Sequence, residues 1–184
     1  MCSSDLVGNL DHLRIDYPLL VKVAKAFPND TLVLVGPVNN TEYKEVGLDA
    51  LPNVIFTGSK TYDQLPIYMQ HMDVTLIPFL VNKLTRSIYP LKINEYLAIG
   101  KPVVSTSFSD DIRSFGDVIY LGQDHDAYIR QIHAALLEND DNMVARRIAV
   151  AETNTWEARV AEFWHIIEEV IEKKRGGVKA KVNA

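Results

Sequence analysis

Short apolar runs alternate along the chain with longer segments in which apolar residues recur every three or four positions. The short runs have the length and β-branched content of buried strands, and they cover residues 6–10, 31–36, 53–58, 73–79, 101–106 and 117–122. The longer segments have helical periodicity, and they cover residues 17–27, 62–72, 91–99, 124–139 and 156–171. Asp16 stands where a side chain can cap the first of these helices.

This order of elements predicts an α/β fold: a Rossmann-like open parallel sheet of about six strands with helices on both faces. No break in composition divides residues 6–172, so we predict that they form one domain. Residues 1–5 are predicted to be a tag, a scar or a linker. Residues 173–184 contain two glycines and several cations without periodicity, and they are predicted to form a flexible tail.

Composition and charge narrow the classes of function. The 184 residues are 47% hydrophobic and 23% charged, a soluble globular balance, and the net charge of -5 argues against general nucleic-acid binding. Cys2 is the only cysteine, which excludes a disulfide framework and a cysteine-based zinc site. The longest apolar run, residues 74–81, is far below the ~18 residues that span a bilayer, and the opening MCSSDL lacks the apolar region of a signal peptide.

Ligands of open parallel sheets bind beyond the carboxyl ends of the strands, where this chain places small and polar residues. The connection between residues 77 and 90 is unusually long, at about twelve residues against the typical ~2–6. It contains Asn82, Lys83, Thr85, Arg86 and Ser87, whose side chains suit phosphate contacts. The helix that begins near Pro90 would direct its first N–H groups, those of Leu91 and Lys92, at a diphosphate. The alternative is a surface loop of incidental polarity.

The segment YPLKINEYLAIGKPVVST, residues 89–106, resembles the donor-site segment of the family 4 glycosyltransferases, which have the GT-B fold. Three further segments resemble that family in the same order: VGNLDHLRIDYPLL, LPIYMQHMDVTLIPF and NTWEARVAEFW. The resemblance covers residues 7–172, and it is to the carboxyl-terminal, donor-binding half of the fold. It implies that this domain binds a nucleoside-diphosphate sugar.

Glu95 matches the family glutamate that accepts hydrogen bonds from the donor ribose, a task for which a carboxylate offers two acceptor oxygens. The alternative is a solvated helix residue paired with Lys92. The family often carries a second glutamate, facing the transferred sugar, at the position of Ser87. Ser87 and Pro90 are therefore the residues that the resemblance places near the sugar.

For the diphosphate, the resemblance points to the opening glycine loop as well as to the long connection. Gly8 matches the family glycine, Asn9 replaces its arginine, and Arg14 occupies its lysine position. The full set of predicted diphosphate contacts is Gly8, Asn9, Arg14, Asn82, Lys83, Thr85, Leu91 and Lys92. The predicted base contacts are Gly58, Ser59, Thr61, Tyr62 and Leu65, with ordinary helix packing as the alternative for the last two.

The function that the resemblance implies is transfer of a glycosyl group from a nucleotide sugar to an acceptor hydroxyl, with retained configuration, no bound metal and no cofactor besides the substrate. The catalytic residues stay unassigned, because an amino-terminal acceptor-binding half is expected to supply them as a partner. The expected location is the cytoplasm, peripheral to the inner face of the membrane in the full-length enzyme. No nucleic-acid partner is expected, and membrane contact through the basic tail is left open.

Three other functions remain open at this point. A non-catalytic or regulatory nucleotide-sugar-binding module would share the fold and the ligand. A sugar-nucleotide epimerase uses the same architecture, normally with both halves in one chain. A flavodoxin-like receiver or flavin module is disfavoured because glycine, proline and serine, rather than an acidic cluster, follow the strands.

Overall fold

The computed structural model describes the backbone of residues 3–182 and the side chains of residues 7–171 and 173. Six strands form one parallel sheet: β1 (Ser3–Val7), β2 (Thr31–Val35), β3 (Val54–Gly58), β4 (Val74–Ile77), β5 (Val103–Thr106) and β6 (Tyr120–Gly122). Their order across the sheet is β3-β2-β1-β4-β5-β6. The predicted fold class is confirmed.

Eight α-helices accompany the strands within residues 3–182. They are α1 (Tyr17–Ala26), α2 (Glu42–Glu45), α3 (Leu65–Met69), α4 (Lys92–Ala98), α5 (Asp110–Ser114), α6 (His125–Leu136), α7 (Asp141–Thr153) and α8 (Trp156–Val182). Single 3-10 turns lie at Leu48–Ala50, Tyr62–Gln64 and Thr85–Ser87. Helix α1 packs against α6, and α4 packs against α7. These pairs are the two helical layers that cover a doubly wound sheet.

Polar caps start several of these helices, and the cap that the sequence predicts at Asp16 is one of them. Asp16 caps α1, and its Oδ1 accepts a hydrogen bond from the backbone N–H of Leu19 at 2.9 Å. Asp124 and Asp140 cap α6 and α7 in the same way. Each cap satisfies an N–H group that has no partner within its own helix.

The hydrophobic core lies on both faces of the central strands. Strands β4 and β5 are buried along their whole length, and β2 is buried from its second residue onward. The prediction that β3 is equally buried is wrong, because β3 lies at the edge of the sheet and Ile55 is half exposed. An edge strand has a neighbour on one side only, so the same apolar run is less covered.

Both predicted ends of the domain differ from the structure. The first strand spans Ser3–Val7 rather than residues 6–10, so Ser3–Asp5, predicted as linker, pair with β2 and β4. Backbone pairing with strands on both sides does not need an apolar pattern, which explains the error. Helix α8 extends to Val182 through most of the predicted tail, whose lysine, arginine and alanine residues favour helix. Residues 1–2 and 183–184 lie outside the described residues.

Strand order places β1 next to β4, although 66 residues separate Val7 from Val74 in the sequence. The chain runs from β1 outward to β3 and then returns to the other side of β1. At this reversal the loops after β1 and β4 lead to opposite faces of the sheet and leave a crevice between them.

No helix within residues 3–182 combines the length and the apolar content that crossing a bilayer requires.

Candidate functional site

The loop that follows β1 passes close to the loop that follows β2. The backbone N–H of Gly8 donates to the carbonyl of Val35 at 2.8 Å, and Gly8 has φ +127°. Gly36, with φ +142°, faces it so closely that an added Cβ would lie 1.9 Å from the Gly8 carbonyl oxygen. Both positions favour glycine because L side chains rarely adopt this backbone, and at Gly36 no space is left for a Cβ.

Lys92 brings a positive charge to the same point. Its Nζ donates to the carbonyl of Val7 at 2.6 Å and lies 3.0 Å from where a Cβ on Gly8 would be. The ammonium group also lies 5.2 Å from the ring centre of Phe79, within the range of a cation–π contact. The first residue of α4 is therefore anchored at the carboxyl end of β1, in the crevice between β1 and β4.

The long loop between β4 and α4 packs on the opening loop. The backbone N–H of Leu80 donates to Arg14 O at 2.7 Å, and the N–H of Asp16 donates to Pro78 O at 2.9 Å. The Asn82 amide donates to Leu13 O at 3.0 Å. The two segments in which the sequence predicts diphosphate contacts therefore lie side by side.

The residues of these loops that are predicted to contact the diphosphate differ in how exposed their side chains are. Asn9 and Lys83 are exposed, and so is Leu91 at the start of α4. Arg14 pairs with Asp11, with 3.1 Å between Nε and Oδ2. The pKa of Asp11 is lowered by the hydrogen bond from the Leu13 N–H, and the charge of Arg14 adds to this effect.

Two of the residues predicted to contact the ligand from the long loop are buried. Thr85 is fully buried, and its hydroxyl donates to Leu80 O while its backbone N–H donates to Asn82 Oδ1. These bonds hold the loop in shape, so Thr85 is not placed to contact phosphate. Pro90 is also buried, just before α4, whereas Ser87 and Arg86 are exposed, and the sugar contacts of Ser87 and Pro90 stay predictions.

Glu95 lies on α4 and lines a cavity of about 580 Å³. Its side chain is half buried. Burial raises the pKa of Glu95, and the positive charge of Lys92 only partly offsets this effect. A carboxylate that lines a cavity and has its pKa raised by burial is typical of a functional site.

Of the five predicted base contacts, Tyr62 alone lines the Glu95 cavity. The Tyr62 side chain is 75% exposed, so its ring is available to a ligand. Gly58 has φ +68° at the end of β3, and Thr61 forms a capping box with Gln64. Leu65 packs against the hydrophobic core, which supports the helix-packing alternative for that residue.

The sequence did not predict the opposite wall of this cavity. Helix α7 and the start of α8 provide this wall, with Ile148, Ala151, Glu152, Asn154, Thr155, Trp156 and Glu157. The indole of Trp156 is 75% exposed. The one available signal was the polar segment ETNT followed by a tryptophan, which marks a break between two helices but does not indicate which element packs against it.

Several large apolar side chains of α8 face solvent. Trp156, Val160, Phe163, Trp164, Ile166, Val170 and Ile171 are between 42% and 75% exposed. A contiguous exposed apolar face on a long helix is unusual for a surface that meets only water. Among the residues whose side chains are described, no three His, Cys, Asp or Glu side chains cluster as metal ligands.

Comparison with known proteins shows what this arrangement is similar to. The family model "Glycosyl transferases group 1" matches residues 6–139. The putative teichuronic acid biosynthesis glycosyltransferase TuaH of Bacillus subtilis (strain 168) is 30% identical over 148 residues, which cover 78% of this chain and 37% of that protein. The chain thus spans 37% of the length of this curated relative.

Solved structures share the fold. Sucrose-phosphate synthase from Thermosynechococcus elongatus superposes with a TM-score of 0.71 at 18% identity, covering 94% of this chain and 46% of that one. Anabaena HepE, solved in complex with UDP and glucose, gives a TM-score of 0.68 at 18% identity, covering 92% and 48%. At this identity the likeness supports the fold alone. The family match covers most of the sequence, from the end of β1 past α6, and the narrower family 4 assignment stays a prediction. The chain belongs to the group 1 glycosyltransferases.

Proposed function

We propose that this chain is the donor-binding half of a glycosyltransferase and that it holds a nucleoside-diphosphate sugar at the carboxyl edge of the sheet. The observation that carries the proposal is the half-buried Glu95 carboxylate, with its raised pKa, in a cavity of about 580 Å³. This volume lies within the ~300–1,000 Å³ of small-molecule sites. The relative HepE was solved with UDP and glucose.

The diphosphate would lie beside Lys92, in the crevice between β1 and β4. Lys92 and Glu95 are three residues apart on α4, so their side chains leave the same side of the helix. The diphosphate of a nucleotide would then lie near the Lys92 ammonium group, and the pentose next to it would lie near the Glu95 carboxylate. Asn9, Arg14, Asn82 and Lys83 surround this crevice and are the remaining candidates for phosphate contacts.

In the proposed reaction, the bond between the anomeric carbon and the diphosphate oxygen breaks, and a bond forms to the oxygen of an acceptor hydroxyl. The hydroxyl loses its proton, and the nucleoside diphosphate leaves with the added negative charge. Lys92 and the neighbouring cations would stabilise that charge, as preorganised groups do in other transferases. We propose that the reaction retains configuration and needs neither a metal nor a further cofactor.

The acceptor-binding half is the partner that this proposal requires. The chain covers less than half of each relative described above, which leaves room for such a half in a longer polypeptide. The exposed apolar face of α8 is the surface we assign to it. Among the described side chains of α8, Glu157, Glu162, Glu168 and Glu169 outnumber the cations Arg159 and Lys173, unlike the Lys- and Arg-rich face of helices that lie on membranes. We therefore propose a cytoplasmic protein partner for this face.

Titration calorimetry with UDP and GDP tests the proposal. We expect one of the two to bind, and Glu95→Ala to weaken binding by about 1–3 kcal/mol, because hydrogen bonds to a charged acceptor are lost. Glu168→Ala, an exposed glutamate of α8, is the matched control and should leave affinity unchanged. Absence of binding of both nucleotides and their sugars at millimolar concentration would reject the proposal.

A turnover assay separates the proposal from its alternatives. The chain alone should release nucleoside diphosphate from a nucleotide sugar only slowly, because the acceptor half supplies the groups that activate the hydroxyl. Conversion of the sugar to another configuration without an acceptor would instead identify an epimerase.

A further inference from the structure

Arg147, on α7, is a fully buried charged side chain that the proposed donor site does not use. Its Nη1 and Nη2 donate to the two carboxylate oxygens of Glu138 at 2.5 and 2.6 Å. Its Nε donates to Val118 O at 3.0 Å, and Nη1 also reaches Gly100 O at 3.4 Å. Tyr120 completes the group by donating its hydroxyl to Glu138 at 2.7 Å. One guanidinium therefore ties α7 to three other segments of the chain.

The contact with Gly100 joins α7 to the end of α4. Gly100 has φ +72° and lies two residues after the last residue of α4. A Cβ added there would lie 2.7 Å from Val144 Cγ1, so the backbone at this point packs directly on α7. The distance between the two helices is thus fixed at this end by the Arg147 hydrogen bond and by a contact that leaves no spare volume.

The same two helices form opposite walls of the Glu95 cavity. Glu95 and Ala98 line it from α4, and Ile148 and Ala151 line it from α7. At ~1.5 Å of rise per residue, Arg147 is only about 6 Å along α7 from Ala151. A shift of α7 at Arg147 would therefore change the width of the cavity in which Glu95 lies.

Stability alone does not explain why this site holds an ion pair. An apolar pair of similar volume is often as stable or more stable, because two charges must be stripped of water. A guanidinium instead offers five N–H donors in a fixed plane, and here it holds a carboxylate and two backbone carbonyls at once. This geometry specifies one position of α7 relative to α4.

We infer that Arg147 is a positioning residue for the Glu95 cavity: its bonds to Glu138, Gly100 and Val118 fix α7 against α4 and so set the cavity width. The part of this inference that concerns ligand affinity rests on the proposed nucleotide binding. The positioning itself does not, and it is measurable without a ligand.

The test compares three variants of the full chain with the wild type. Arg147→Lys keeps the charge but loses the planar fork. The double variant Arg147→Met/Glu138→Leu removes both charges, so that no unpaired charge stays buried if a single substitution fails to fold. Ile132→Val is the matched control, because Ile132 is buried in α6, on the opposite helical layer. Each protein is measured for Tm, for UDP and GDP affinity by calorimetry, and for acrylamide quenching of Trp156 in a Trp164→Phe background.

We expect Arg147→Lys and the double variant to weaken nucleotide affinity by about tenfold, since small misplacements of a supporting shell have large effects on a site. Trp156, on the cavity wall, should change its quenching in these variants. Ile132→Val should lower Tm and change neither readout. Unchanged affinity and quenching in folded Arg147 variants, or equal changes in Ile132→Val, would overturn the inference. Failure of the wild type to bind UDP or GDP would reject the proposed function, while quenching still decides whether Arg147 positions the wall.

Discussion

Replacing Glu95 with glutamine should weaken ligand binding and stabilise the fold at the same time. Glutamine keeps the size of glutamate but cannot ionise, and it offers one acceptor oxygen where the carboxylate offers two. The two vicinal ribose hydroxyls that donate to the carboxylate would lose one of its acceptor oxygens, and the remaining hydrogen bond would no longer be strengthened by a negative charge. Hydrogen bonds to charged groups contribute about 1.5–3 kcal/mol, so a loss of about 1–3 kcal/mol in binding is expected. This corresponds to a Kd increase of about 5- to 150-fold.

The effect on stability has the opposite sign because of the pKa shift. Burial raises the pKa of Glu95 above its ordinary value of 4.5, so the folded state holds this proton more tightly than the unfolded state does. Stability therefore falls as pH rises from 4.5 through the folded pKa, and the full penalty is present above it. Glu95→Gln lacks the penalty and should be more stable at pH 7, while the difference should vanish below pH 4.5.

The assay is a pair of measurements on the same samples. Calorimetry at pH 7 gives the Kd for the nucleotide that binds the wild type, and thermal melts between pH 4 and pH 8 give Tm. Because the side chain is only half buried, solvent limits the stability gain to less than about 1 kcal/mol, or up to about 3 °C. Glu168→Gln should change neither quantity. The reasoning would be refuted if the variant binds as well as the wild type. It would also be refuted if raising the pH from 4 to 7 lowers the stability of the variant as much as it lowers that of the wild type.

Three further predictions concern the framework around the site. Gly36→Ala should destabilise by about 3 kcal/mol or more in urea unfolding, because the new Cβ overlaps the Gly8 carbonyl; a milder loss would show that the loop can move. Burial raises the pKa of Glu138, but hydrogen bonds from Arg147 and the Tyr120 hydroxyl outweigh it and leave the pKa lowered. Glu138→Gln should therefore lower the stability by about 3–5 kcal/mol at pH 7. Below pH 4.5 the wild-type carboxylate becomes protonated, so the difference in stability between the variant and the wild type should narrow, and a pH-independent difference would contradict this. Asp16→Ala should cost about 1 kcal/mol by removing the cap of α1, and an unchanged urea midpoint would show that the cap contributes nothing.

The elements that the sequence predicted well are those with a local signal. Helix α1 begins after its Asp16 cap, and β2, β4 and β5 lie in the predicted apolar runs, because capping and periodicity depend on residues within a few positions. The errors fall where the local signal is weak or misleading. Ser3–Asp5 form a strand without an apolar pattern, and the helix α7 has a shallow amphipathic pattern that was not recognised as a helix.

The candidate site was predicted on one wall and missed on the other. Glu95 belongs to a continuous sequence segment that contains both the long loop and the start of α4. Trp156 and Glu152 come from a segment about 60 residues away along the chain, and nothing in its composition marks it as a neighbour of α4.

The sequence by itself determined the order of strands and helices, the parallel sheet that this order requires, and the position of Glu95 on the helix after the long loop. Only the tertiary structure decided that β1 lies beside β4, which brings the Lys92 ammonium group to the Val7 carbonyl across 85 positions of chain. It also decided which side chains in the long loop are buried and that α7 forms the second cavity wall. Periodicity reports which side of an element is covered, but the neighbour that covers it depends on strand order and on packing between elements far apart in the chain.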